Sequence, residues 1–188
     1  MNNKRAILWI EEGYKMVSKD GFNSLNIEHI ARSLKKNKSS FYHYFGDMET
    51  FQTELFNHHH RQAEVFSNRI VECELIRPDL INLFIDFKYD LFFHRQLRIN
   101  RDKLIFKNCF EKAYNIIETS LIHKWIDFLE LHENKMFATS FLNIIIENFF
   151  LRITEESFNS QWLNQYLDEI IAVLTQMGTI ANSENLKI

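Results

Sequence analysis

The sequence predicts an all-α protein of about nine helices. Its 188 residues hold only 4 Gly and 1 Pro, too few to turn the chain of a sheet protein. No glycine occurs between Gly46 and Gly178. Apolar residues recur at helical spacing, as in Trp162, Leu163, Tyr166, Leu167, Ile170, Ile171, Leu174 and Met177.

In chain order, the first helix is expected from about Asn3 to Lys19, on a stripe of Trp9, Ile10, Met16 and Val17. Gly13 interrupts that stripe at a cost of about 1 kcal/mol relative to Ala, which implies close approach of another helix backbone. Gly21 supplies a left-handed stop. Ile27, Ile30, Ala31 and Leu34 give a short second helix, with Asn26 placed to cap it. Asn37 caps a third, in which Phe41 and Phe45 face inward while Ser39, Tyr42 and His43 share the outer face. Asp47 caps a long fourth helix with Phe51, Leu55, Phe66 and Ile70 along one side.

Pro78 marks a new start, and Asp79 to about His94 reads as helix. Arg95 to Lys103 reads as a loop plus a short helix. Ile105 to about Leu131 is one long helix, continuous or broken near Asn108. Glu133 to about Thr154 follows. The final helix begins at Trp162 and closes at Gly178, and Asn182 to Ile188 reads as a frayed tail.

A hydrophobic content of 46% with 25% charged residues excludes a disordered chain. The longest apolar runs, such as Ile144 to Ile146, are too short to span a bilayer. The first residues lack the apolar core of a signal peptide, which points to the cytoplasm. Cys73 and Cys109 stand alone, as reduced thiols would. Net charge is −3, but Met1 to Phe45 carries 8 Lys and Arg against 4 Asp and Glu, leaving −7 for the remainder. A basic head on an acidic body suits a DNA-binding module joined to a regulatory one. The expected division is residues 1–46 for the DNA-binding head and 47–188 for a helical regulatory and dimerising body.

Two short helices joined by a three-residue turn, the second with a polar and aromatic outer face, describe a helix-turn-helix. The run from Ile30 to Phe45, I-A-x-x-L-x-x-N-x-S-S-F-Y-x-Y-F, resembles the signature of the TetR family of bacterial regulators, I-A-x-x-A-G-V-S-x-G-T-L-Y-x-Y-F. Upstream, Gly13 to Phe22 resembles that family's A-x-x-L-F-x-x-x-G-F. Lys35 and Lys36 replace the turn's usual Gly and Val, Ser39 replaces a Gly, and Met48 replaces a Lys near a phosphate.

The residues expected to contact DNA are Asn26, Lys35, Lys36, Asn37, Lys38, Ser39, Ser40, Tyr42, His43 and Tyr44. The lysines at the start of the third helix suit phosphates. The family match favours phosphate or sugar contact by Tyr42. His43 reads a base edge or simply faces solvent. The resemblance implies a dimeric repressor released from its operator by a small ligand. An activator, a regulator controlled by a protein partner, and an all-α carrier of apolar ligands or small enzyme are the alternatives.

An apolar or amphipathic effector would suit the aromatic residues Phe84, Phe87, Phe92, Phe106, Phe110 and Tyr114, though core packing explains most of them. Apolar stripes including Phe141, Ile145, Phe149, Leu163, Leu167, Ile170 and Leu174 suit a four-helix bundle between two copies. His58, His59 and His60 point about 100° apart on a helix and cannot share one ion. No catalytic constellation, metal site or cofactor motif is read.

Overall fold

The computed structural model describes residues 3–177, and the expected closure at Gly178 and the tail beyond it lie outside them. The described residues contain nine α-helices and no strand. These are α1 (Asn3–Asp20), α2 (Ile27–Ser33), α3 (Lys38–Phe45), α4 (Met48–Glu72), α5 (Ile81–Asp86), α6 (Lys88–Ile99), α7 (Leu104–Leu129), α8 (Lys135–Arg152) and α9 (Ser160–Gln176).

The chain forms two compact units. The first joins Met1–Glu64 to Tyr89–Tyr114, and the second joins Val65–Lys88 to Asn115–Ile188. In the first unit, Val17, Ile30, Phe41, Phe51, Leu55, Phe93 and Leu97 are fully buried in one core. Trp9 of α1 meets Phe41 of α3 edge-on at 5.5 Å, and Phe41 meets Phe51 of α4 at 5.1 Å. α3 therefore rests on aromatic contacts, a geometry worth about 0.5–1.5 kcal/mol per pair beyond buried area. Asn26, Asn37 and Asp47 each cap as expected: Glu28 N–H and His29 N–H donate to Asn26, Ser40 N–H to Asn37, and Thr50 N–H to Asp47.

Gly13 has the tight neighbour its position implies, but it is a ring rather than a helix backbone. A Cβ there would lie 2.6 Å from Cζ of Phe51. Gly21 ends α1 at φ 82° and ψ 173°, a conformation open only to glycine.

Two expected boundaries are corrected. The helix read from Asp79 to His94 is broken at Phe87 into α5 and α6. The segment read as a loop from Arg95 continues α6 to Ile99, because Leu97 is fully buried and Arg98 lies with its guanidinium 4.8 Å from the Phe110 ring. An apolar stem and a flat cation let a basic run pack as helix. α7 passes Asn108 without a break.

In the second unit, Phe66, Ile70, Leu80, Leu83 and Phe87 form one cluster. A wide turn at Ile76–Leu80, containing a cis Arg77–Pro78 bond, precedes α5. Arg77 reaches Asp168 on α9 at 2.5 Å. Arg152 on α8 pairs with Glu169 on α9, and the Tyr166 hydroxyl donates to the carbonyl of Ile145 at 2.9 Å. No helix among the described residues is long and apolar enough to cross a membrane.

Candidate nucleic-acid interface

The turn between α2 and α3 is closed by Lys36 N–H donating to the carbonyl of Ala31 at 2.8 Å. Lys35 takes φ 54° in this turn. A left-handed backbone costs a side-chain-bearing residue about 1–2 kcal/mol. Asn37 then opens α3, where its side chain accepts from Ser40 N–H and from the Ser39 hydroxyl at 2.8 Å. The Ser40 hydroxyl donates to the Asn37 carbonyl at 2.7 Å. Asn26, Asn37 and Ser40 are thus occupied in building the two helices.

Lys35, Lys36, Lys38, Ser39, Tyr42 and His43 are exposed, whereas Phe41 and Phe45 are buried. Tyr42 leaves 52% of its surface free, and Tyr44 is half-buried with its ring 5.3 Å from that of His43. The outer face of α3 therefore presents a serine, a phenol and an imidazole behind a run of lysines. Lys38 is engaged with Glu28, and that bond, followed by the lysine's charge, holds the Glu28 carboxyl below its usual range. An exposed ion pair of this kind is worth little, so a phosphate oxygen can replace the carboxylate. Arg32 and His29 on α2 are also exposed.

Of the aromatic residues assigned to an effector, Phe106 and Phe110 pack with the core of the first unit, and Tyr114 stacks on Phe110. Phe92 is buried. Phe84 and Phe87 belong to the cluster of the second unit. Of the residues assigned to a dimer face, Phe149, Leu163, Leu167, Ile170 and Leu174 are buried within the chain itself, and Phe141 and Ile145 are half-buried. The three adjacent histidines diverge. His58 lies edge-on to the Tyr14 ring at 4.8 Å, His59 bonds into the core, and His60 donates from Nε2 to the carbonyl of Cys109 at 3.3 Å. Cys73 and Cys109 are free thiols.

A capped helix pair with an exposed basic and aromatic second helix defines a helix-turn-helix DNA-binding protein. Residues 9–55 match the model of a family described as bacterial regulatory proteins, tetR family. A crystal structure of a protein described as a TetR-family transcriptional regulator from Mesorhizobium loti is similar in fold, with a TM-score of 0.54 and 16% identity over 92% of this chain and 98% of that one. No curated protein matches the chain. Residues 9–55 thus resemble the DNA-binding domain of that family, and the chain as a whole shares the fold of a protein described as one of its transcriptional regulators.

Proposed function

We propose that the protein is a cytoplasmic, dimeric repressor that leaves its operator when a small apolar or amphipathic molecule binds the body, residues 47–188. The observation that carries the dimer is the outer face of α8. Met136, Ile144 and Leu151 are 83%, 63% and 78% exposed, although Ala138, Leu142 and Phe149 already fill the inner face. A helix apolar on both faces wants a second partner. Val173 on α9 and Met177 just past its end are exposed as well. Two copies would set their α3 helices about 34–36 Å apart on operator DNA, and a ligand would favour a different spacing.

Sedimentation of the purified protein at micromolar concentration tests the assembly. Ile144→Glu, at an exposed position, should convert a dimer to a folded monomer, and a monomeric wild type would refute the reading. A gel shift with the DNA upstream of the protein's own gene tests the regulator. Binding should prefer that DNA and weaken steeply with salt, and candidate effectors should reduce it.

A further inference from the structure

In the first unit four polar side chains form one hydrogen-bonded line through the core. Asp90 of α6 accepts from the Tyr14 hydroxyl of α1 at 3.0 Å. The Tyr14 oxygen lies 2.7 Å from Nδ1 of His59 on α4. Nε2 of His59 lies 3.1 Å from Nδ1 of His94 on α6. Tyr14, His59 and His94 are 3%, 3% and 5% exposed. The Tyr14 ring stacks on Phe93 at 4.2 Å, and Ser18, one turn on, donates from its hydroxyl toward the carbonyl of Tyr89 at 2.7 Å. The line therefore joins α1, whose Trp9 supports the recognition helix, to both α4 and α6.

Its direction follows from donor arithmetic. With Asp90 ionised, the single Tyr14 proton goes to the carboxylate. Nδ1 of His59 must then carry the proton that points at Tyr14, leaving Nε2 to accept from Nδ1–H of His94. Every bond runs toward Asp90. With Asp90 protonated, every bond can run the other way. We propose that this line is a proton-responsive clamp on α1: one proton is taken up by reversing all three hydrogen bonds, and both histidines exchange tautomers while staying neutral.

The transfer balances. A proton added at Nε2 of His94 releases Nδ1–H to Nε2 of His59. His59 releases Nδ1–H to the Tyr14 oxygen, and Tyr14 releases its own proton to Asp90. The surroundings favour this outcome over an imidazolium. Burial, followed by the Arg98 charge, disfavours a positive ring at His94, and burial disfavours one at His59. From α7, Cys109 is neutral, its thiol pushed up to about 12 by burial. Burial lifts the Asp90 carboxyl to about 6, with the Tyr14 bond acting against it. Protonation removes a buried charge and should tighten the hold on α1.

The test uses the full chain labelled with nitrogen-15 in histidine. Ring nitrogen shifts are followed between about pH 7.5 and about pH 5.5, where an ordinary histidine would become charged. The expected result is a joint exchange of the Nδ1–H and Nε2–H signatures of His59 and His94 with one midpoint near the Asp90 value, and no imidazolium signature. Asp90→Asn should abolish that midpoint. Tyr14→Phe keeps the stacked ring and should uncouple the histidines from Asp90 while the carboxyl still titrates. Fixed tautomers in the wild type, or an unchanged transition in Tyr14→Phe, would overturn the relay.

A second readout tests the link to the head, and rests on its reading as a DNA-binding domain. The wild-type to Asp90→Asn ratio of affinities for a mixed-sequence duplex should change by about threefold or more across that range. A constant ratio overturns the clamp's action on the head, whereas failure to bind any duplex counts against the DNA-binding reading and leaves the nitrogen shifts to judge the relay.

Discussion

Single positions in the head show where one atom decides. At Gly13 an added methyl must displace the Phe51 ring, whose Cζ would be 2.6 Å away and whose side chain is fully buried. Helix propensity would favour alanine by about 1 kcal/mol, but overpacking a tight core costs about 1–3 kcal/mol. Gly13→Ala should therefore lower the melting temperature, and a rise would mean that the ring moves freely. Lys35 poses the reverse case, because its left-handed φ of 54° suits glycine. Lys35→Gly should stabilise the head by up to about 1 kcal/mol, less what glycine adds to the freedom of the unfolded chain. The same change should weaken binding to all DNA sequences if this lysine touches a phosphate. Thermal denaturation and a nonspecific DNA titration read the two effects separately.

At the scale of the element, α3 divides its tasks between its start and its outer face. Lys36 lies in the turn before α3 and Lys38 at its first position, where phosphate contact would give affinity without sequence preference. Changing Lys36 to Ala should weaken operator and random DNA alike and reduce the salt slope by about one unit. His43 lies on the exposed face beside Tyr44. If it reads a base, His43→Ala should cost the operator about 1–3 kcal/mol more than random DNA. Equal losses on both DNAs for both variants would refute this division. The caps and the buried face of this helix pair were legible in sequence because both are local: Asn26, Asn37, Phe41 and Phe45 each do what their spacing implies. The break at Phe87 and the continuation of α6 through Arg98 were not, because burial of Leu97 and the Phe110 ring decide them.

Across the whole molecule, charge separates with the two units. The first holds 15 Lys and Arg against 11 Asp and Glu, and the second 7 against 14. The basic unit also contains the buried histidines, which makes it acid-sensitive. Burial, then the Arg98 charge, holds His94 down at about 3, and burial likewise holds His59 well below its ordinary value. An unfolded histidine takes a proton near 6.5, so the native state loses ground as pH falls below that value. For His94 alone the loss is about 2 kcal/mol at a pH of about 5. Asp90 acts oppositely: its native value of about 6 lies above the ordinary 3.8, so its contribution is present at low pH and is lost as pH rises through about 6. One carboxyl does not offset two buried histidines, and His58, held down to about 4, adds to the acid side. The melting temperature should fall between about pH 7 and about pH 5. His94→Asn should flatten that fall, and an equal fall in the variant would place the sensitivity elsewhere.

The sequence by itself determined the all-helical class, the helix-turn-helix with its caps, and the basic head, because each depends on neighbours within a turn or two of the chain. Only the tertiary structure decided that Asp90, Tyr14, His59 and His94 form one line. These residues lie 35 to 76 positions apart where they bond, and no local pattern records which buried polar groups the packing of α1, α4 and α6 will join. It also decided which apolar faces stay uncovered. Leu167 and Ile144 look alike in a helical stripe, yet one is 7% exposed and the other 63%, since burial depends on which helices the fold lays against each face.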